Sequence, residues 1–303
     1  MLSKTIDFIC FYLYNKCDKI IIIIKNKEFD NKLMKKLFKV LIAGVLAAGS
    51  LFAFSGCGDK IYVDTNAFFA PFEYYDTSGE IKGVDVDIMN LVGKKLDKEV
   101  VFENTEFDVI IDNVASGKKY DCGAAGITIT EERAAKVDFS NPYYTSVQYV
   151  IYKESDTSFA ERTATNGTEC IFWSDLMNKK IGVQRDTTGH LYVDDEIDGG
   201  VLDGTTGDCT PYDNAQLAVD AIGANHIDVV VVDELPAQFI CQKNTAYKCK
   251  ALYYDADTAT EEEYAICVTK GNTELLNAIN EVLAELGEDG INALVSKHLG
   301  LDD

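Results

Sequence analysis

Basic charge is what this chain has too little of. Twenty-eight Lys and Arg face fifty Asp and Glu over 303 residues, a formal net charge of −22. The deficit is uneven, because residues 1–57 hold nine lysines against four acids and the remainder therefore carries −27. A body of that sign repels nucleic acid and anionic membrane surfaces, which argues against a polyanion partner. Zinc-type spacing is missing too: the nine cysteines and three histidines form no CxxC or CxxxxH pattern, so no metal is expected. No tandem repeat points to a solenoid. No apolar run reaches the roughly 20 residues that span a bilayer, which disfavours a transmembrane anchor. What remains is 47% hydrophobic and 26% charged, the composition of a globular chain with room for one or two domains and a sizeable core.

The basic excess sits in a leader. After Met34, Lys35, Lys36 and Lys39 form a positive region, Val40 to Phe54 an apolar stretch of 15 residues, and Ser55 and Gly56 precede Cys57. Residues 34–56 thus read as a secretory signal. Its end resembles a bacterial lipobox, in which Cys57 is lipidated and becomes the mature N-terminus. Phe54 stands where leucine is usual, so cleavage by an ordinary signal peptidase is the alternative. Several acyl chains on Cys57 would anchor stably, where a single one holds only marginally. Residues 1–33 show no amphipathic logic and read as a spurious extension, the alternative being a real one of unknown role.

Six cysteines remain in a compartment where disulfides persist. Cys122 and Cys267 read as buried thiols in apolar runs. Cys241 with Cys249, and Cys170 with Cys209, are possible pairs, and the pairing stays open.

Beyond Cys57, strand and helix patterns alternate. "KIYVDTN" reads as a strand, "APFEYYDTSGEIKG" as a loop and hairpin, and "VDIMNLVGKKL" and "FDVIIDNVASG" as helices with apolar residues at helical spacing. "YDCGAAGITIT" and "VQYVIYK" read as strands, after which the pattern restarts at "KKIGVQ". "NAQLAVDAIGAN", "IDVVVVDE" and "LPAQFICQK" continue it as helix, strand and helix. "EYAICVTKG" is a strand, and two helices around "LLNAINEVLAEL" and "INALVSKHL" close the chain. The expected fold is α/β with two lobes, each a mostly parallel sheet flanked by helices. Residues 57–145 and 261–303 would form the first lobe and 146–260 the second. The polar segment "ESDTSFAERTATNGTECIFWSDLMN" reads as an irregular surface insertion.

The chemistry centres on "AAGITITEER", which delivers Arg133 with no nucleophile, metal ligand or Gly-rich phosphate loop beside it. Arginine suits bidentate capture of a carboxylate, and Thr128 and the Gly126 backbone lie next to it. Thr187 and Thr188 follow the strand "KIGVQ", where hydroxyls and N–H groups at a helix start can hold an anion. Asp233 ends the apolar strand "IDVVVV", where α/β ligand sites gather, and would suit an ammonium. Arg plus Asp with neutral donors describes an α-amino acid. The plainer readings are a surface ion pair of Arg133 with Glu131 or Glu132, and helix caps at Thr187, Thr188 and Asp233. The second "TTG", Thr205–Gly207, follows no strand and reads as a surface turn.

"FAPFEYYDTSGEIKGVDVDI", "AAGITITEERAAKVDFSNPYYTS", "VQRDTTG" and "IDVVVVDELPA" resemble, in this order over about Ile61 to Leu299, the extracytoplasmic amino-acid-binding proteins of ABC importers. These are solute-binding proteins of family 3, with the type II periplasmic-binding fold. The resemblance implies two lobes joined by two crossing strands that close on a ligand. It places Arg133, Thr128, Thr187 and Thr188 at the ligand carboxylate, and Asp233, Gly126 and Thr128 at its ammonium. Phe69 and Phe107 become walls of the side-chain pocket, with Asn66 and Gln184 setting specificity. Asp186 departs from the glycine usual in the second-lobe loop, although Asp tolerates the left-handed conformation better than most residues.

No acid lies between Thr65 and Phe72, where relatives of cationic specificity often place one. A neutral amino acid, including a polar one held by Asn66 and Gln184, is therefore the expectation, and a basic ligand the alternative. The resemblance implies a monomer that needs no cofactor, sits lipid-anchored on the extracytoplasmic face of the membrane, and serves ABC permease subunits. A dehydratase-type enzyme on the same fold and an amino-acid sensor are the competing readings. Hinges are expected near Thr145–Val147 and Thr260–Glu262.

Overall fold

The computed structural model describes residues 60–205 and 209–300. The readings of residues 1–33, of the signal at 34–56 and of Cys57 fall outside that range, as do Thr206 and Gly207.

Chain order in the first lobe begins with β1 (Lys60–Thr65), then a small antiparallel sheet of β2 (Phe68–Phe69), β3 (Glu73–Tyr75) and β4 (Ile81–Lys82). Helix α1 (Val84–Leu96), β5 (Glu99–Asn104), α2 (Phe107–Ala115), β6 (Cys122–Gly123), α3 (Glu131–Lys136) and β7 (Asp138–Phe139) follow. The long strand β8 (Tyr144–Lys153) leads into the second lobe. There lie β9 (Arg162–Thr163), β10 (Glu169–Phe172), β11 (Ile181–Gln184), α4 (Thr188–Ile197) and β12 (Cys209–Tyr212). They are followed by α5 (Ala215–Gly223), β13 (Val229–Asp233), α6 (Glu234–Lys243) and β14 (Tyr247–Tyr253). The return path is β15 (Glu261–Tyr264), β16 (Cys267–Val268) and α7 (Thr273–Leu299).

Two sheets result. The first has the order β5-β1-β6-β16-β7, and the second, eight-stranded, runs β12-β11-β13-β8-β14-β10-β9 with β15 paired to β8. β1 is parallel to β5 and β6, and β11 is parallel to β12 and β13. Antiparallel pairing enters where the linking strands join, at β8 and β16. β8 and β15 are the two crossing strands, with Glu262 opposite Ser146 and Glu263 opposite Thr145.

Burial explains the central strands. Val229 to Val232 are at most 4% exposed, a continuous β-branched run as expected of a strand covered on both faces. Each such side chain contributes on the order of 1.5–3 kcal/mol of burial free energy. In α1, Ile88, Met89 and Val92 lie on one fully buried face. The two closing helices are contiguous in α7 except at Gly287, whose φ of 59° and ψ of −176° break the ladder in a conformation open to glycine.

Three expectations need correction. The segment read as a surface insertion supplies β9 and β10 to the second sheet and buries Cys170, Ile171, Trp173 and Leu176 completely. "YDCGAAGITIT" forms only the two-residue β6, because Ala124 to Thr130 leave the sheet to build the loop described below. The cysteine pairing left open above is answered by six free thiols, the possible pairs included. Cys170 and Cys209 lie on strands five spacings apart, about 24 Å, too far for a disulfide.

Candidate functional site

All ten positions singled out around the amino-acid reading line one small cavity: Asn66, Phe69, Phe107, Gly126, Thr128, Arg133, Gln184, Thr187, Thr188 and Asp233. Glu73 and Ala125 complete its wall. The parallel strands explain the convergence. Asn66 follows β1, Gly126 and Thr128 follow β6, Gln184 ends β11, and Asp233 ends β13, so each lies at a carboxyl end, where α/β crevices form.

Arg133 is 8% exposed in the first turns of α3, whose N-cap Thr130 accepts a hydrogen bond from the Arg133 N–H at 3.1 Å. Its Nη1 donates to the Thr128 carbonyl at 2.9 Å and its Nη2 to the Asp186 carbonyl at 2.8 Å. The guanidinium lies 5.3 Å from the centre of the Phe107 ring, a cation–π distance. Glu131 and Glu132 point to solvent, and neither forms an ion pair with it. Burial pulls Arg133 below the usual guanidinium range. A buried cation held by neutral carbonyls keeps N–H groups available to an anion.

The acidic end is a network. Asp233 is 5% exposed and accepts from the Gln148 amide and the Tyr264 hydroxyl. The same Gln148 nitrogen donates to Glu262 on β15. Burial first, and the Glu262 charge second, hold the Asp233 carboxyl well above the usual carboxylate range. Although Asp233 sits at the N-cap of α6, its side chain makes no cap hydrogen bond, so the carboxylate is committed to the cavity side. Glu262 also accepts from Thr128 Oγ1 at 2.8 Å and from Thr188 Oγ1. One carboxylate on a crossing strand thereby ties a hydroxyl of each lobe.

Some expected donors are spent elsewhere. The Thr187 hydroxyl donates to the Gln184 carbonyl at 2.9 Å and caps α4 through the His190 N–H. The Gly126 N–H donates to Asp85 at 3.0 Å. Glycine is required at 126, since φ is 53° and a Cβ would stand 2.8 Å from the Phe69 ring. Asp85 is fully buried and also accepts from the Tyr143 hydroxyl at 2.5 Å. Its carboxyl is raised to about 6 by burial. Asp186 does adopt the left-handed conformation, with φ of 56°. Gln184 donates to Asn66 at 3.1 Å across the cavity, and Asn66 to the Thr105 carbonyl at 2.7 Å. His190 lies outside the lining residues.

Glu73 was missed. It opens β3, is 0% exposed, and neither carboxyl oxygen accepts a hydrogen bond among the described residues. Burial, then the charges of Asp85 and Asp233, raise its carboxyl well above the usual range. The stretch Thr65 to Phe72 holds no acid, but Glu73 is the next residue and lines the cavity. An acid thus borders the cavity although that stretch holds none.

The family model for bacterial extracellular solute-binding proteins, family 3, matches residues 61–300. The chain is 27% identical to the L-cystine-binding protein TcyJ of Escherichia coli (strain K12), over 89% of its own length and 95% of the relative. It is 30% identical to the putative ABC transporter arginine-binding protein 2 of the same organism, covering 83% and 94%. A crystal structure of a mutant ArgBP from T. maritima superposes with a TM-score of 0.67 at 29% identity, covering 80% of this chain and 95% of that one.

Proposed function

The chain belongs to the bacterial extracellular solute-binding proteins of family 3, and from that premise we propose that it captures an α-amino acid with a cationic side chain between its lobes. It then delivers the ligand to the membrane subunits of an ABC importer. The observation that carries the amino-acid reading is that Arg133 and Asp233, from opposite lobes, face one cavity. The ligand carboxylate takes the free N–H groups of Arg133 and the hydroxyls of Thr128 and Thr188, which turn from Glu262. The ammonium takes Asp233, with the Gly126 carbonyl and Thr128 beside it.

Glu73 supports the cationic side chain. A buried carboxyl with no donor costs several kcal/mol when charged alone, and an ammonium or guanidinium relieves that cost. The arginine-binding relatives agree with this assignment, and TcyJ makes cystine the neutral competitor. Phe69 and Phe107 flank the ligand chain, while Gln184 and Asn66 set its reach. A polar neutral amino acid is the second reading, favoured by the Gln184 Oε1, which is buried and accepts no hydrogen bond among the described residues.

Closure is a population shift. Arg133 on the first lobe receives the carboxylate in the open form. Thr188 and Asp233 engage only on closure about Thr145–Val147 and Thr260–Glu262, so the ligand favours the closed state through contacts made there alone. The dehydratase-type alternative needs no amine anchor, and the sensor alternative needs an output domain. Calorimetric titration with arginine, lysine, histidine, glutamine and cystine tests the reading. Affinity for a cationic member above the others is the expected result, and no binding of any amino acid would sink it.

Anchoring follows from the leader: Cys57 carries the lipid and holds the monomer on the outer face of the cell membrane. Cys57→Ser should release the protein from the membrane fraction, and retention there would remove the lipid assignment.

A further inference from the structure

We propose that His190, Asp194 and Cys209 form a binding site for a divalent transition ion of the zinc type on the second lobe, outside the amino-acid cavity. His190 and Asp194 are one turn apart on α4 and share a helix face. Cys209 opens β12, the strand beside β11 at the sheet edge. His190 Nε2 lies 3.3 Å from Asp194 Oδ2, and the three donor atoms all fall within 4.8 Å of one another. No other trio of His, Cys, Asp or Glu among the described residues comes together this way.

The geometry is close to what an ion needs. Bonds of about 2.0–2.3 Å in a tetrahedron place neighbouring donors roughly 3.3–3.8 Å apart. Side-chain adjustments of about an ångström therefore close the trio, with water as the fourth ligand. Imidazole, thiolate and carboxylate together are a zinc-class donor set. Motif spacing could not reveal it, because two ligands come from one helix and the third from a strand 15 residues further on.

Protons balance as follows. A metal binds the Cys209 sulfur as thiolate, so the ion displaces the thiol proton to solvent. His190 Nδ1 accepts the Asp186 N–H at 3.1 Å, which places the ring proton on Nε2 beside Asp194. The ion takes Nε2, and that proton moves to Nδ1. There the Asp186 carboxylate, now 3.7 Å away, accepts it once the ring turns from the Asp186 N–H, giving the carboxylate–histidine arrangement that orients metal ligands. The thiol proton is the one released per ion.

The test uses the full chain with Zn²⁺ in equilibrium dialysis and Co²⁺ as a spectroscopic substitute. One ion per chain, a near-ultraviolet thiolate-to-cobalt band and release of about one proton per ion are expected. Cys209→Ser and Asp194→Asn should each lose stoichiometric zinc, and Cys209→Ser should also lose the band, while their unfolding midpoints without metal stay close to the parent. The double variant Cys241→Ser, Cys249→Ser, which removes two neighbouring thiols outside the site, should keep band and stoichiometry. Absence of stoichiometric zinc in the parent chain overturns the proposal. So does a band that survives Cys209→Ser or disappears with Cys241 and Cys249.

Discussion

Arg133 and Asp186 meet across the cavity, with Nη2 of the arginine donating to the aspartate carbonyl at 2.8 Å. The contact joins a helix of the first lobe to the left-handed loop residue of the second. It aligns the guanidinium without neutralising it, since a carbonyl offers a dipole and no charge. A ligand carboxylate supplies the missing charge.

Arg133→Ala should therefore weaken amino-acid binding by roughly 3–5 kcal/mol, because the ligand carboxylate loses its partner in a desolvated site. Calorimetry on the folded variant checks this, and an affinity equal to the parent's would remove Arg133 from the site.

Asp233→Asn should penalise amino acids far more than analogues that lack the amino group. Both should be titrated side by side. Equal losses would show that the residue merely supports Gln148 and Tyr264.

Glu73→Gln separates cationic from neutral ligands. Burial holds the Glu73 carboxyl above its usual range, so in the free protein it keeps its proton to higher pH than an exposed glutamate. A ligand cation favours the ionised form and drives that proton off. Affinity for arginine should then rise with pH up to the raised pKa, by at most about 1.4 kcal/mol per pH unit for one proton. Glu73→Gln should lessen that slope and weaken arginine binding, with little effect on glutamine. A loss shared equally by both ligands would favour the neutral reading.

Asp85 offers a stability test free of ligand. Its folded value of about 6 exceeds the ordinary 3.8, so the folded state holds the proton more tightly. Its contribution is fully present below about pH 4 and is lost as pH rises through about 6. Asp85→Asn should flatten the denaturant-unfolding free energy across that window. A pH profile identical to the parent's would mean that Asp85 titrates alike in both states.

The ten cavity positions were legible because each sits just past a strand or in the first turns of a helix, where type and order survive in a short motif. Glu73 was not, for a reason of register: β2 and β3 pair Phe69 with Glu73, and residues directly opposite share a face. The turn between them carries the acid back to the aromatic wall, a relationship that a search ending at Phe72 does not see. The Gln148–Asp233–Glu262 network was equally hidden, since its members are separated by 85 and 114 residues and meet only through the crossing strands. β10 failed for want of length, because its apolar burst is short and its polar flanks resemble a loop. β14 alternates lysine with smaller side chains at Lys248 to Ala251, a period-two signal that was present and passed over.

β16 lies in the interior of the first sheet, between β6 and β7, yet it is made after every strand of the second. A chain emerging from its N-terminus can complete the sheet of residues 144–253 while the earlier one still has a gap along its middle. The two halves must then mature in reverse of their order of synthesis, and any stop before Val268 leaves a receptor with one finished jaw and nothing to bite against.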